Sequence, residues 1–264
     1  MPHATQRGQT VSPAAFYDPL ADDYDMMTGF EGRARVAAGF VRRLLAQYAC
    51  RSALDVACGT GVFAIALAQA GVQTTGTDLS RAMLRQARRR ATAMQLPVRW
   101  VRAPMQQLGE KLTGRFDLIL CMGNSLPHLL TAAELDAALL SFRRLLEPGG
   151  HLVLHLLNYS RVLKLQERIV EINQQGNAEF VRFYDFPGGN IRFNLLSITW
   201  GATGPAHRLS SVELHPYVKT ELRAALAAHG FQQIQAWGGL DFRPFAGARS
   251  DVLLLIARRD GLTE

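Results

Sequence analysis

Between residues 53 and 156, short apolar runs alternate with longer segments of helical period, and this alternation narrows the possible folds more than any other feature. Strand-like runs fall at 53–57, 73–77, 98–102, 116–121 and 151–156, with helical stretches near 61–69, 81–94 and 132–146. A series of this kind specifies a parallel sheet, because each helix carries the chain back across the sheet before the next strand begins.

In the first of these units, Leu54-Asp55-Val56-Ala57-Cys58-Gly59-Thr60-Gly61 runs from an apolar strand through a glycine loop into a helix. Gly59 and Gly61 lack the Cβ that would hold a bound molecule away, and the loop N–H groups with the helix N-terminus favour a carboxylate or phosphate. Asp55, ahead of the glycines, suits an ammonium group, so one segment can hold both charged ends of an amino acid. Asp78, at the end of the second strand, has the spacing to grip ribose hydroxyls. Residues 59–64 also satisfy the G-x-G-x-x-G/A pattern of a dinucleotide loop. The Asp55 carboxylate speaks against that reading, since it would repel a pyrophosphate; Asp78 is compatible with either nucleoside.

Before the first strand, residues 17–46 read as one or two helices with an Asp/Tyr-rich lead (Tyr17, Asp18, Asp22, Asp23, Tyr24, Asp25) placed to cover a cofactor. Pro148-Gly149-Gly150 is expected to end the third core helix and turn the chain. A helix near 160–173 follows the fifth strand. Then come strands at 179–186, 190–200 and 207–215, the first two joined across Pro187-Gly188-Gly189. This predicts an antiparallel β flap over about 178–216, inserted after the fifth strand. A helix near 218–229 and strands at 232–237 and 252–258 complete a doubly wound, seven-stranded, mostly parallel α/β sheet, whose ligands should sit beyond the carboxyl ends of its strands. Residues 1–16 read as a flexible tail, and 17–264 as one domain with a helical N-terminal lid over 17–50.

The formal charge of +7 raises the question of a nucleic-acid partner. The densest basic run, Arg81, Arg85, Arg88, Arg89 and Arg90 among Met83, Leu84, Ala87 and Ala91, has instead the spacing of a solvated helix face. The first dozen residues are polar, and no stretch is long and apolar enough to span a bilayer. Cys50, Cys58 and Cys121 show no metal or redox spacing. These features fit a cytoplasmic protein with free thiols, no metal and no membrane segment.

The run from Leu54 to Gly61 together with Asp78 resembles the cofactor signature of class I S-adenosylmethionine methyltransferases, which share this Rossmann-like sheet. Cys121-Met122-Gly123-Asn124-Ser125-Leu126-Pro127-His128, Pro148-Gly149-Gly150 and Asn158-Tyr159 resemble the glycine N-methyltransferase group in particular. So does the tail from Leu214-His215-Pro216-Tyr217 through Gly239-Leu240-Asp241-Phe242-Arg243-Pro244-Phe245. The resemblance covers most of the chain from Tyr17 onward. It implies S-adenosylmethionine as cofactor, S-adenosylhomocysteine as product, and an SN2 methyl transfer to nitrogen or oxygen of a small molecule, with nitrogen slightly favoured.

Residue by residue, the resemblance implies Asp55 on the methionine amino group, Asp78 on the ribose, Pro104-Met105 around adenine and Arg33 on the cofactor carboxylate. It extends the cofactor set to Tyr24, Ala57, Gly59, Gly61, Leu79, Met83 and Met122. Pro104 departs from the family pattern, having no side-chain acceptor for the adenine amino group. On the substrate side the resemblance implies Asn124, His128, Asn158 and Tyr159, with His128 also able to take a proton from the nucleophile. The glycine-methylating enzymes carry an arginine directly ahead of the Asn-Tyr pair, and Leu157 stands there in this chain. Its loss implies an acceptor other than glycine, neutral or apolar near this wall. Tyr184, Phe186, Phe193 and Trp200 of the flap are candidates to line the pocket. An RNA methyltransferase has only the basic charge in its favour, without the aromatic Pro-Pro or Pro-Cys motifs after the fourth strand. The remaining alternative is a non-catalytic protein that only binds the cofactor.

Overall fold

In the computed structural model, which describes residues 10–202 and 204–261, α1 (Pro13–Tyr17), α2 (Tyr24–Thr28) and α3 (Phe30–Gln47) lead into β1 (Ser52–Val56). The core continues through α4 (Val62–Gln69), β2 (Gln73–Asp78), α5 (Arg81–Ala93), β3 (Val98–Arg102), α6 (Leu108–Lys111), β4 (Phe116–Cys121), α7 (Ala132–Leu145) and β5 (Leu146–Leu157). After α8 (Tyr159–Leu165) come β6 (Ile169–Gln175), β7 (Ala178–Gly188), β8 (Asn190–Gly201) and β9 (Gly204–Leu214). The chain then returns through α9 (Lys219–Ala228), β10 (Phe231–Trp237) and β11 (Val252–Arg259).

Seven strands form one sheet in the order β10-β11-β5-β4-β1-β2-β3, with β11 antiparallel to both its neighbours and the other pairs parallel. Residues along these strands sort by their period of two. Leu54, Val56, Ile119, Cys121, Leu152 and Leu154 join one apolar cluster with Leu139 and Phe142 of α7. Ala53, Leu118, Leu120, Val153, Leu254 and Ile256 join another, with Phe40 and Leu44 of α3 and Leu67 of α4. Both faces are covered, which is why these strands read as nearly continuous apolar runs. The order reverses between β1 and β4, and the crevice of a doubly wound sheet opens there, beyond the strand ends.

The flap is a separate four-stranded antiparallel sheet, β6-β7-β8-β9. It begins earlier than the sequence suggested. The helix expected to run to 173 stops at Leu165, where Gln166 takes a left-handed conformation (φ 50°), and 169–175 forms an edge strand. Ile169, Val170 and Ile172 favour a strand, and, with most of β6 exposed, pairing with β7 sets its register. Of the expected tail, residues 1–9 lie outside the described residues. Residues 10–16 are built into the fold instead: Thr10 bridges Ser211 of β9, and Phe16 of α1 is buried against Phe193. Pro148-Gly149-Gly150 does not cap α7, which ends at Leu145, but lies within the first residues of strand β5. Gly150 is required there, since a Cβ would meet the carbonyl oxygens of Asp117 and Glu147 at 2.9 Å.

The polar strand β2 carries Thr74, Thr75 and Thr77, all buried, and Gly76. Trp100 of β3 packs over Gly76 so closely that an added Cβ would lie 2.4 Å from the indole. Gly76→Ala is therefore expected to cost about 1–3 kcal/mol. In a thermal melt this appears as a fall in Tm of about 2–4 °C per kcal/mol for a chain of this size.

Candidate active site

Two adjoining clefts of about 790 and 770 Å³, counting the space open to solvent, lie at the carboxyl ends of β1, β2 and β4. Tyr17, Tyr24, Gly123 and His128 line both and form the wall between them. The first cleft lies over the glycine loop, with Ala57, Gly59, Asp78, Leu79, Met83 and Met105 in its lining. The second lies under the flap, bounded by Leu157 from the core and by Arg182, Tyr184 and Phe193 from the flap.

The loop's shape comes from Asp78. Its carboxylate accepts from Gly59 N and from Ser80 N, both at 2.8 Å, and so ties the first two βα turns together. Burial raises the Asp78 pKa, opposed by those same N–H donors. Gly59 (φ 55°) has open space where a Cβ would be, so the cleft can bring a ligand against its backbone. Ala57 (φ 52°) and Asn124 (φ 66°) are held in the left-handed region without being glycine, and strain of this kind gathers at functional sites.

Several residues proposed from sequence are placed differently. Asp55 is 1% exposed and lines neither cleft; its carboxylate accepts from Ala64 N of α4 at 2.9 Å. Burial pushes its pKa up to about 8, so at neutral pH the carboxyl is largely uncharged. It anchors the helix under the loop and does not present a charge to the cleft. Gly61 is a packing glycine, where a Cβ would meet Trp100 at 2.8 Å and Ala87 at 3.0 Å. Met122 is buried beside the first cleft without lining it. Arg33 stands one step away: it donates to Thr28 at 2.8 Å and faces Asp25, which accepts from Thr60 of the loop at 2.7 Å.

On the substrate side, Asn124 and His128 line the second cleft, whereas Asn158 and Tyr159 do not. Asn158 is buried and donates to the carbonyls of Gly247 and Ser250, both at 2.9 Å. Tyr159 is buried behind Asn124 and shares two contacts with its amide, at 2.9 and 3.1 Å, so it positions Asn124. Of the flap aromatics, Tyr184 and Phe193 line the cleft, Phe186 packs on the core and Trp200 is exposed.

Sequence reasoning missed Tyr17, whose hydroxyl shares a 3.2 Å hydrogen bond with His128 Nε2. The Asp/Tyr-rich lead was its only signal. That lead is strapped down by its acids: Asp18 accepts from Ser80 Oγ at 2.5 Å, Asp22 from Gln86 at 2.6 Å, and Asp25 pairs with Arg90. Gln106 of the first cleft and Arg182 of the second were also missed. His128 Nδ1 is buried with no hydrogen-bond partner among the described residues, and burial pulls the ring's pKa down to about 4. Among the described residues no group of three or more His, Cys, Asp or Glu is placed to hold a metal ion, and no helix is long and apolar enough to cross a membrane.

A methyltransferase-domain family profile matches residues 53–150. A glycine/sarcosine N-methyltransferase of Parasynechococcus marenigrum is 28% identical over 239 residues, spanning 84% of this chain and 78% of its own. The sugar N-methyltransferase KedS8 from Streptoalloteichus is 26% identical and superposes with a TM-score of 0.72, covering 98% of each chain. An S-adenosylmethionine-dependent methyltransferase from Clostridium acetobutylicum, 16% identical, shares the fold with a TM-score of 0.79 over 93% of this chain and 99% of its own. With the glycine loop, Asp78 and the cleft at the switch point, these findings give the chain a methyltransferase domain with the class I fold and support an S-adenosylmethionine-dependent methyltransferase. Within that class it resembles the glycine N-methyltransferase group.

The low His128 pKa sets a pH dependence. The folded state keeps the ring neutral while the unfolded chain protonates it near pH 6.5, so this contribution to stability is full above pH 6.5 and is lost as pH falls toward 4. The gap corresponds to about 3 kcal/mol. Urea melts of His128→Asn are expected to lose about that much less stability than wild type between pH 6.5 and pH 4.

Proposed function

We propose that the chain methylates a nitrogen of a small-molecule acceptor by direct displacement, with S-adenosylmethionine in the first cleft and the acceptor in the second. The observation that carries this reading is the shared wall of Tyr17, Tyr24, Gly123 and His128, where contents of the two clefts can touch. The first cleft fits the cofactor: Gly59 leaves room for close backbone approach, and Asp78 keeps lone pairs for ribose hydroxyls. Met83 and Met105 offer apolar faces for adenine, and the Gln106 amide supplies a polar partner that Pro104 lacks. Arg33, through Asp25 and Thr60, stands at the end of the loop suited to the carboxylate.

When bound, S-adenosylmethionine supplies an activated methyl on its sulfonium, so the protein's task is alignment and exclusion of water. Orientation of this kind can supply on the order of 7–11 kcal/mol of the barrier. Tyr17 and Tyr24 close the wall from the N-terminal segment, and Asn124, fixed by Tyr159 and by Leu157 N at 3.1 Å, borders the acceptor. His128 is neutral at pH 7 and, with burial holding its pKa at about 4, does not keep the proton that a methylated ammonium releases, which passes to water. A base this weak suits an amine, which attacks in its free-base form; a hydroxyl would need to be deprotonated first. The two relatives named as N-methyltransferases support nitrogen as well.

The test is calorimetric titration with S-adenosylmethionine, followed by assay of S-adenosylhomocysteine release across a panel of small amines and phenols. Saturable binding and amine-dependent turnover are expected, with Asp78→Ala weakening binding at least about tenfold through its lost hydrogen bonds to a charged group. Asp55→Asn should bind within about threefold of wild type, since an amide oxygen still accepts from Ala64 N–H and the charge is not in use. Absence of saturable cofactor binding, or binding of NADP instead, would overturn the reading.

A further inference from the structure

The second cleft is apolar over most of its surface, with Phe16, Leu20, Met27, Leu157, Leu195 and Leu214 in its lining. Arg182 is the one charged side chain among the residues that line it, His128 being neutral. A guanidinium on such a wall requires a reason, because a buried charge is costly unless partners satisfy it. Arg182 sits in β7 directly opposite Glu171 of β6, and the two side chains form an ion pair. The pair is lopsided. The Arg182 side chain is 22% exposed and faces the cleft, whereas Glu171, on the edge strand, is 45% exposed and lines no part of it. One carboxylate occupies one end of the fork, leaving donors of a five-donor group turned toward the cleft.

On the reading given above, we propose that the methyl acceptor is an amphiphile with an apolar body and a carboxylate, and that Arg182 is the residue that recognises the carboxylate. The nucleophilic end then lies at the Tyr17, Gly123 and His128 wall, the body against the leucines and Phe193, and the anionic end against the flap. This refines the expectation drawn from Leu157: the acceptor meets an apolar surface at that wall, and its charge is met on the opposite side. A planar carboxylate matches the guanidinium fork in geometry and charge. A phosphate dianion does not, because Glu171 already neutralises part of the single cation.

The experiment uses the full chain saturated with S-adenosylhomocysteine and titrated with benzoate, benzamide and phenyl phosphate. Benzoate should bind at least about tenfold more tightly than benzamide, the discrimination expected of a charge-assisted hydrogen bond. Arg182→Gln should abolish the difference, and Arg182→Lys should keep part of it. Glu171→Gln should strengthen benzoate binding severalfold without changing benzamide, because it removes the competing carboxylate; a purely structural ion pair predicts no such gain. The proposal is overturned if benzoate and benzamide bind alike, if neither binds, if the preference survives Arg182→Gln, or if phenyl phosphate binds more tightly than benzoate. Titration of S-adenosylhomocysteine into each variant reports whether the first cleft is intact. Failure of wild type at that step would sink the methyltransferase reading itself, whereas intact cofactor binding without carboxylate preference sinks only this inference.

Discussion

The Asp78 carboxylate holds the site together. It accepts from the backbone of Gly59 after β1 and of Ser80 at the start of α5, and in doing so fixes the floor of the first cleft. Ser80 in turn caps α5 through Met83 N at 3.0 Å and donates to Asp18 of the N-terminal segment. A single half-buried carboxylate thus connects the glycine loop, the following helix and the segment that covers them. Its place at the end of β2 follows from the sheet order, since β2 neighbours β1 and both strands end at the same level. An acid there is costly to bury, and two backbone donors offset that cost while leaving lone pairs for a ligand.

The parallel core was legible because its strands are buried on both faces and its turns carry glycine. Strand ends at Gln73, Val98, Phe116 and Cys121 coincide with those read from periodicity alone. The edge strand β6 was not separated from the preceding helix, since its β-branched residues Ile169, Val170 and Ile172 do not alternate cleanly with polar ones and the strand is mostly exposed. Pro148-Gly149-Gly150 reads as a helix stop, yet the preceding residues already end the helix, and the glycines permit close strand approach instead.

The site divides along similar lines. Residues that line the first cleft, such as Ala57, Gly59, Leu79 and Met105, were legible because the βα turns place them. Asp55, Asn158 and Tyr159 lie in the right turns, but their side chains point into the protein, and sequence does not reveal orientation at a strand's end. Tyr17 and Arg182 come from elements far from the core motifs, and only tertiary closure of the N-terminal segment and the flap brings Tyr17 to the shared wall and Arg182 to the second cleft. The resulting division of labour is physical. The sheet supplies the first cleft, over the glycine loop, and the two added layers supply the aromatic and apolar surfaces and the Arg182 side chain of the second.

The most direct measurement is the crystal structure of the complex with S-adenosylhomocysteine. The account predicts the ribose on Asp78, adenine between Met83 and Met105, and the sulfur at the wall formed by Tyr17, Gly123 and His128, facing the second cleft. A nucleoside bound elsewhere, or a sulfur turned away from that cleft, would contradict it.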